Sequence, residues 1–158
     1  MLQAFKGMDV LSFAVEIEKN GKNFYESVAK IIDDTGVKEA FLKLKEQEEQ
    51  HVVDFEQLLD QITVYQPQET YSGEYLDYVK ALVDNHVFNT NTDIKAIAEA
   101  VKNKADALDL ALKFEKDSIL FFAELKHVVA PRNHGVIENL IAQEREHIRV
   151  LAELRNLG

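Results

Sequence analysis

One short motif, a Glu followed three residues later by a His, constrains the fold of this chain most, because it occurs near each end. Glu48 and His51 form the first copy, and Glu144 and His147 form the second. Residues three apart lie on nearly the same face of an α-helix, so the carboxylate and imidazole of each pair can bind one metal ion together. Two such motifs, with one further Glu from each of two other helices, make the ligand set of a dinuclear carboxylate site in a helical bundle.

A glutamate on the apolar face of the first helix is a candidate for one further ligand. Apolar residues at three- and four-residue spacing predict helices at about residues 9–32 and 37–61, and Glu18 interrupts the apolar stripe of the first. Glu18 and Glu48 are nearly equidistant from the turn predicted at residues 33–36. Because both helices of an antiparallel hairpin rise by about 1.5 Å per residue, equidistant residues lie at the same height. Glu18 and Glu48 are therefore predicted to face each other.

The second half of the chain repeats this arrangement. Helices are predicted at about residues 104–129 and 136–156 with a turn at 131–135, and Glu115 and Glu144 are nearly equidistant from that turn. The repeat is visible as two pairs of aligned stretches, residues 14–25 with 111–122 and residues 44–51 with 140–147. Two hairpins related in this way would pack with approximate two-fold symmetry around a central site.

A long crossover is predicted between the two hairpins, because turn-forming residues break this segment into short pieces. The pieces are a break at Tyr65–Gln68, a loop at Tyr71–Glu74, a short helix at about 74–87, a break at Asn89–Thr92, and a short helix at 93–101 with Thr92 as its N-cap. The whole chain, residues 1–158, is thus predicted to be one all-α domain. Its parts are a hairpin at about 9–61, a crossover at about 62–103 and a hairpin at about 104–156.

Composition argues against several classes of partner and site. The net charge of -10 disfavours nucleic acids and anionic membranes as partners. The chain has no cysteine, which excludes disulfides, thiolate metal sites and iron–sulfur clusters. No apolar stretch approaches the roughly 18 residues that a membrane span needs, and the first residues carry no secretory signal. We therefore expect a cytoplasmic protein.

A single Glu-x-x-His motif is weak evidence, since Glu124 and His127 have the same spacing without the same context. Glu124 lies nine residues after Glu115, which at 100° per residue places it on the opposite face of the helix. We therefore predict that Glu124 and His127 are solvated. His86 and His134 have no partner motif and are predicted to be surface or connector residues.

A buried polar network is the alternative interpretation of the two motifs. It would place four carboxylates in the core with only two histidines to offset their charge, whereas two divalent ions would neutralise them. Tyr25 lies two helical turns after Glu18 on the same face, so its hydroxyl could hydrogen-bond a ligand carboxylate. An aromatic side chain packed in the core is the competing interpretation of Tyr25.

Four stretches together are specific enough to carry a family resemblance. They are Glu18 with Phe24-Tyr25, Gln47–His51, Phe114–Phe122 and Gln143–His147. In these stretches the chain resembles the rubrerythrin branch of the ferritin-like superfamily, which implies a ferritin-like four-helix bundle of two hairpins joined by a crossover. The implied ligand roles are terminal for Glu18 and Glu115, bridging for Glu48 and Glu144, and one metal ion each for His51 and His147.

The resemblance implies two iron ions, no haem, and redox chemistry on hydrogen peroxide or dioxygen in the response to oxidative stress. A rubrerythrin-like peroxidase is the leading expectation. The alternatives are an iron-binding, ferroxidase-type protein without cage storage and a purely structural bundle. Manganese or mixed occupancy is compatible with the same oxygen and nitrogen ligands.

Two departures from the rubrerythrin pattern bear on these expectations. Rubrerythrins have a second Glu three residues after the third-helix ligand, used in a redox-dependent exchange of ligands, and here that residue is Ser118. They also carry a cysteine-ligated rubredoxin domain that supplies electrons, whereas this chain has no cysteine. Any electron donor is therefore expected to be a separate protein. The oligomeric state is left open, with a homodimer as one option.

Overall fold

The protein, here a computed structural model, is all-α throughout residues 7–62, 73–89 and 91–157, the part of the chain that the structure describes. The all-α class predicted from the sequence is confirmed. The helices are α1 Gly7–Ile31, α2 Thr35–Ile62, α3 Gly73–Asp84, α4 Ile94–Glu99, α5 Lys104–Glu124 and α6 His134–Asn156, with 3₁₀ turns at Leu125–His127 and Pro131–Asn133. None of the described helices is long and apolar enough to cross a bilayer.

Two antiparallel hairpins, α1 with α2 and α5 with α6, form the bundle, and each hairpin packs on the other through both pairs of facing helices. The first hairpin turns tightly because the Asp34 carboxylate accepts the backbone N–H of Val37 at 2.9 Å and caps α2. As a result α2 begins at Thr35, two residues before the predicted start. The capped turn keeps the two helices in the register that brings Glu18 opposite Glu48.

The second hairpin differs from its prediction at the turn. Helix α5 ends at Glu124, five residues before the predicted end, and the chain continues as a 3₁₀ turn. Ala130 precedes Pro131 and takes extended dihedral angles, φ -59° and ψ 145°, which the proline ring favours for the residue before it. The prediction that this helix continues to about residue 129 was therefore wrong, since the chain passes into a 3₁₀ turn at Leu125–His127 several residues before the proline.

The crossover lies over the side of the bundle formed by α1 and α5, since α3 packs on α5 and α4 packs on α1. Between these short helices Phe88 is fully buried, with its ring centroid 4.8 Å from that of Phe24 and 5.2 Å from that of Phe114. The Asn20 amide donates to the carbonyls of Phe88 and Asn89, at 3.2 and 2.9 Å. Packing and hydrogen bonds together attach the middle of the crossover to both hairpins.

The start of α4 also differs from its prediction. Asp93, rather than Thr92, is the N-cap, and its carboxylate accepts the backbone N–H of Ala96 at 3.1 Å. The Thr92 hydroxyl instead donates to the side chain of Asn89 at 3.1 Å. The predicted break at Tyr65–Gln68 lies outside the described residues, as do the first two residues of the predicted loop that follows it.

Replacing Gly21 should destabilise the protein, because α1 approaches the Phe114 ring most closely there. A Cβ added to Gly21 would lie 2.2 Å from Cζ of Phe114, which is fully buried. Overpacking of this kind costs about 1–3 kcal/mol, and alanine recovers only about 1 kcal/mol of helix propensity. Because an approach of 2.2 Å belongs at the upper end of that cost, we expect the G21A variant to have a free energy of unfolding about 2 kcal/mol below wild type in urea titrations.

Gly135 provides the control for this prediction. It lies in α6, and an added Cβ would meet nothing within 4 Å. The G135A variant should therefore be as stable as wild type, or more stable by up to about 1 kcal/mol. Equal effects of the two substitutions would contradict the role assigned to the Gly21–Phe114 contact.

Candidate metal centre

The six residues predicted as metal ligands lie together in the middle of the bundle. Helices α1 and α5 each contribute one Glu, and α2 and α6 each contribute a Glu and a His. Each of the six side chains is at most 2% exposed. They are Glu18, Glu48, His51, Glu115, Glu144 and His147.

One half of the cluster is built around His51. Its Nδ1 atom lies 2.8 Å from Glu18 Oε2, 2.9 Å from Glu144 Oε1 and 3.3 Å from Glu48 Oε2. A single ring proton on Nδ1 can satisfy only one of these three oxygens. Nδ1 is therefore the nitrogen that His51 would present to a metal ion.

The other half is built around His147 in the same manner. Its Nδ1 atom lies 3.2 Å from Glu115 Oε1 and 3.4 Å from Glu48 Oε1. The rings of His51 and His147 are nearly parallel, with centroids 5.6 Å apart and planes at 17°. The sequence repeat thus appears in the structure as an approximate two-fold relation between the halves.

Glu48 and Glu144 are shared between the halves. Within each half, one ligand atom from each of four residues lies within 4.8 Å of the others. The two groups are Glu18, Glu48, His51 and Glu144, and Glu48, Glu115, Glu144 and His147. Glu48 directs Oε2 towards His51 and Oε1 towards His147, which is the geometry of a carboxylate that bridges two positions.

The unsatisfied atoms of the cluster fit a pair of cations. Six carboxylate oxygens are buried without a hydrogen-bond partner among the described residues. They are Oε1 of Glu18, both oxygens of Glu48, Oε2 of Glu115 and both oxygens of Glu144. Buried carboxylate oxygens without donors are strongly unfavourable unless a cation or a proton compensates them. Oxygen and imidazole donors in this number suit iron or manganese, and metal binding by these residues stays a prediction.

Without metal, the cluster must hold protons instead. Burial raises the pKa of Glu18, Glu115 and Glu144 well above the usual range, and repulsion between neighbouring carboxylates adds to the effect. Burial also opposes the charge on Glu48 and His51. There the close approach of oppositely charged or proton-bearing partners outweighs burial, lowering the pKa of Glu48 and raising that of His51. Metal binding should therefore release protons.

Tyr25 contacts the cluster from α1. Its side chain is fully buried, and its hydroxyl donates to Oε1 of Glu115 at 2.6 Å. The hydroxyl therefore reaches a carboxylate of the other hairpin rather than Glu18 on its own helix. Burial and the charge of Glu115 raise the pKa of Tyr25, so the hydroxyl keeps its proton.

His86 and Ser118 form a buried pair that sequence reasoning missed. His86 lies in the crossover, which is one of its two predicted locations, but it is buried there, with only 3% of its surface exposed. Its Nδ1 accepts the backbone N–H of Phe88 at 3.0 Å, which leaves the ring proton on Nε2 to be donated to Ser118 Oγ at 3.2 Å. Ser118 lies fully buried one turn beyond Glu115. No motif marks this pair, because its members belong to the crossover and to α5.

The buried His86 predicts an acid-sensitive contribution to stability. Burial, with a smaller effect from the charge of Lys113, lowers the pKa of His86 from 6.5 to about 4. Below pH 6.5 the unfolded chain binds a proton that the folded chain refuses, so the stabilisation is present above pH 6.5 and is lost as the pH falls to about 4. We expect the free energy of unfolding of wild type to fall by about 3 kcal/mol more than that of the H86Q variant over this pH range.

Urea unfolding of chelator-treated protein at several pH values measures this difference. H127Q supplies the control for removal of a histidine from the surface, since the His127 side chain is 61% exposed. An H86Q profile parallel to that of wild type would show that His86 does not carry the effect.

Gln143 is a second contact that sequence reasoning did not assign. Its side-chain oxygen lies 2.9 Å from Nε2 of His51, on the side of the ring away from the carboxylates. Gln143 was noted only as part of the motif that carries the resemblance. The contact joins α6 to α2 across the bundle, so sequence spacing contains no direct signal for it.

The Glu-x-x-His motif formed by Glu124 and His127 lies outside the cluster. The Glu124 carboxylate lies 3.8 Å from His127 Nε2, and the His127 side chain is exposed as predicted. Glu124 is less solvated than predicted, since its side chain is only 19% exposed. His134 is half-buried at the start of α6 and does not join the cluster.

Comparison with known proteins identifies relatives of this chain. The family model of rubrerythrin matches residues 9–155. A crystal structure from Thermotoga maritima, provisionally described as a ferritin-like diiron-carboxylate protein, matches with a TM-score of 0.72 and 26% sequence identity. The match covers 99% of this chain and 98% of that chain. None of the curated proteins compared with the sequence matches it.

Proposed function

This chain belongs to the rubrerythrin family, as its motifs predicted. From that premise we propose that it is a non-haem di-iron oxidoreductase acting on hydrogen peroxide or dioxygen. We propose peroxide as the preferred substrate. The observation that carries the proposal is the pair of buried ligand groups that share Glu48 and Glu144. The ferritin-like bundle, which the Thermotoga match confirms, positions these groups on four helices.

The chemistry needs a two-electron donor and two protons. A pair of ferrous ions, when bound, would supply the two electrons that break the O–O bond of hydrogen peroxide, and two protons complete two molecules of water. The four carboxylates give the site a negative charge that favours the more oxidised metal. His51 and His147 would hold the metal ions through Nδ1, and burial of all six side chains excludes bulk water.

Tyr25 can hold a proton beside the reacting centre. Its hydroxyl donates to Glu115 at 2.6 Å, and its raised pKa keeps it protonated at neutral pH. The raised pKa values of Glu18, Glu115 and Glu144 belong to the metal-free cluster, whose protons metal binding would release. In this proposal Tyr25 is therefore the group that holds a proton beside the metal pair.

The electrons are proposed to come from a separate protein. The sequence contains no cysteine, so this chain carries no thiolate-ligated iron centre of its own. A small redox protein docking on the bundle would supply the two electrons for each cycle.

The alternative is an iron-handling protein of the ferroxidase type, in which ferrous iron is itself the substrate. Ser118 favours this alternative, because it replaces the carboxylate that family resemblance would place one turn beyond Glu115. The remaining ligands form two matching groups that share Glu48 and Glu144, with no additional carboxylate in either group.

Rapid mixing of anaerobically reduced protein distinguishes the two functions. A peroxide reductase should be oxidised much faster by hydrogen peroxide than by air-level dioxygen, turn over repeatedly with an external reductant and retain its iron. An iron-handling protein should instead release its oxidised iron or accumulate more than it first bound. Slow single-turnover oxidation by peroxide with loss of iron would refute the proposed activity.

A further inference from the structure

We propose that the two metal positions are inequivalent, and that the position at Glu18 and His51 binds a metal ion more tightly than the position at Glu115 and His147. The inference rests on the dinuclear site of the proposed function but not on its reaction. The six ligands are related by the sequence repeat, so the ligand set alone predicts two similar positions. The difference arises from residues that contact the ligands.

The first difference is at the histidines. Gln143 and Gln47 occupy equivalent places, each one residue before the Glu of its motif. The Gln143 oxygen lies 2.9 Å from Nε2 of His51. Gln47 makes no such contact, and Nε2 of His147 is buried without a hydrogen-bond partner among the described residues. Only one of the two imidazoles is therefore held at both nitrogens.

The contact with Gln143 should strengthen the metal ligand. An acceptor on Nε2–H fixes the tautomer that leaves Nδ1 free for a metal ion, holds the ring in place and raises the basicity of Nδ1. Loss of such a partner typically lowers metal affinity by about 10–100-fold. Gln143 is thus a positioning residue that acts through His51.

The second difference is at the terminal glutamates. Tyr25 donates a hydrogen bond of 2.6 Å to Glu115, while its equivalent in the repeat, Phe122, has no hydroxyl to donate to Glu18. The Tyr25 hydroxyl occupies Oε1 of Glu115 and leaves Oε2 without a hydrogen-bond partner among the described residues, so Glu115 can still bind a metal ion through Oε2. This contact adds to the inequivalence of the two positions, and the order of their affinities rests on the contact between Gln143 and His51.

Titration of the metal-free protein with Co²⁺, in competition with a chromogenic chelator, tests the inference without any redox step. Wild type should bind two Co²⁺ ions in two resolved steps, separated by more than the statistical ratio for identical positions. The E18Q variant should lose the tight step and keep the weak one, and E115Q should lose the weak step and keep the tight one. Identical first and second steps, or equal effects of the two variants, would overturn the inference.

The role of Gln143 is tested by substitutions at the two equivalent glutamines. Q143L should weaken the tight step by about 10-fold or more, and Q143E, which retains an acceptor oxygen, should restore it. Q47L should leave both steps unchanged, since Nε2 of His147 has no hydrogen-bond partner among the described residues that this substitution could remove. Circular dichroism of each metal-free variant shows whether the bundle is intact. A Q47L effect equal to that of Q143L, or a failure of Q143E to restore affinity, would assign Gln143 a merely structural role.

If Co²⁺ binds in the expected order but peroxide reactivity is absent, the proposed function fails while this inference stands. If reactivity is present and the two steps are identical, the inference fails alone.

Discussion

An E48A variant should bind less than one metal ion per chain under conditions in which the wild-type protein binds two. Glu48 belongs to both ligand groups and directs one oxygen towards each histidine, so its removal weakens both positions at once. The loss of metal affinity should exceed the roughly 100-fold loss that can follow removal of a residue hydrogen-bonded to a ligand. Elemental analysis after reconstitution with ferrous iron and gel filtration measures the bound metal.

The E124A variant is the matched control for this experiment. Glu124 has the same Glu-x-x-His spacing to His127 but lies outside both ligand groups. E124A should therefore retain two metal ions per chain. Circular dichroism of metal-free E48A shows whether the bundle is intact, since the substitution leaves a cavity and removes a buried carboxylate 3.3 Å from His51 and 3.4 Å from His147. Two tightly bound ions in E48A would contradict the ligand assignment.

Removing metal should lower the melting temperature by about 10 °C at neutral pH. A ligand that binds only the folded state stabilises it by about 4 kcal/mol when its concentration is a thousand times the dissociation constant. In a domain of this size each kcal/mol shifts the midpoint by about 2–4 °C. Without metal the core must also hold carboxylates that repel one another, or take up protons.

Differential scanning calorimetry of iron-loaded and chelator-treated protein measures the shift. The metal-dependent part of the stability should shrink as the pH falls, because protons compete with metal ions for the same oxygens. Equal melting temperatures with and without metal at neutral pH would show that cation binding by these residues does not stabilise the fold.

The bundle could be predicted from the sequence because its signals are local or depend only on chain length. Helical periodicity marks the long helices, and equal distance from a turn places Glu18 opposite Glu48 without further information. Errors occurred where one or two residues decide the end of a helix. Thr92 and Asp93 are both good N-caps, and only backbone geometry selected Asp93.

The contacts that make the two halves differ could not be predicted in the same way. Tyr25 reaches Glu115, His86 reaches Ser118 and Gln143 reaches His51, and each of these pairs joins separate parts of the chain. Such contacts depend on the rotation and separation of packed helices. A change of about an ångström in core packing alters both. Sequence spacing holds no information on either quantity.

The sequence by itself therefore determined which residues are candidate ligands and at what height in the bundle they lie, because a helix has a fixed rise and a fixed number of residues per turn. The tertiary structure alone decided which nitrogen of each histidine faces the carboxylates and which ligands have a supporting partner. It also decided that the crossover packs against α1 and α5 through Phe88. These properties arise between helices, where the packing of side chains against one another sets every distance.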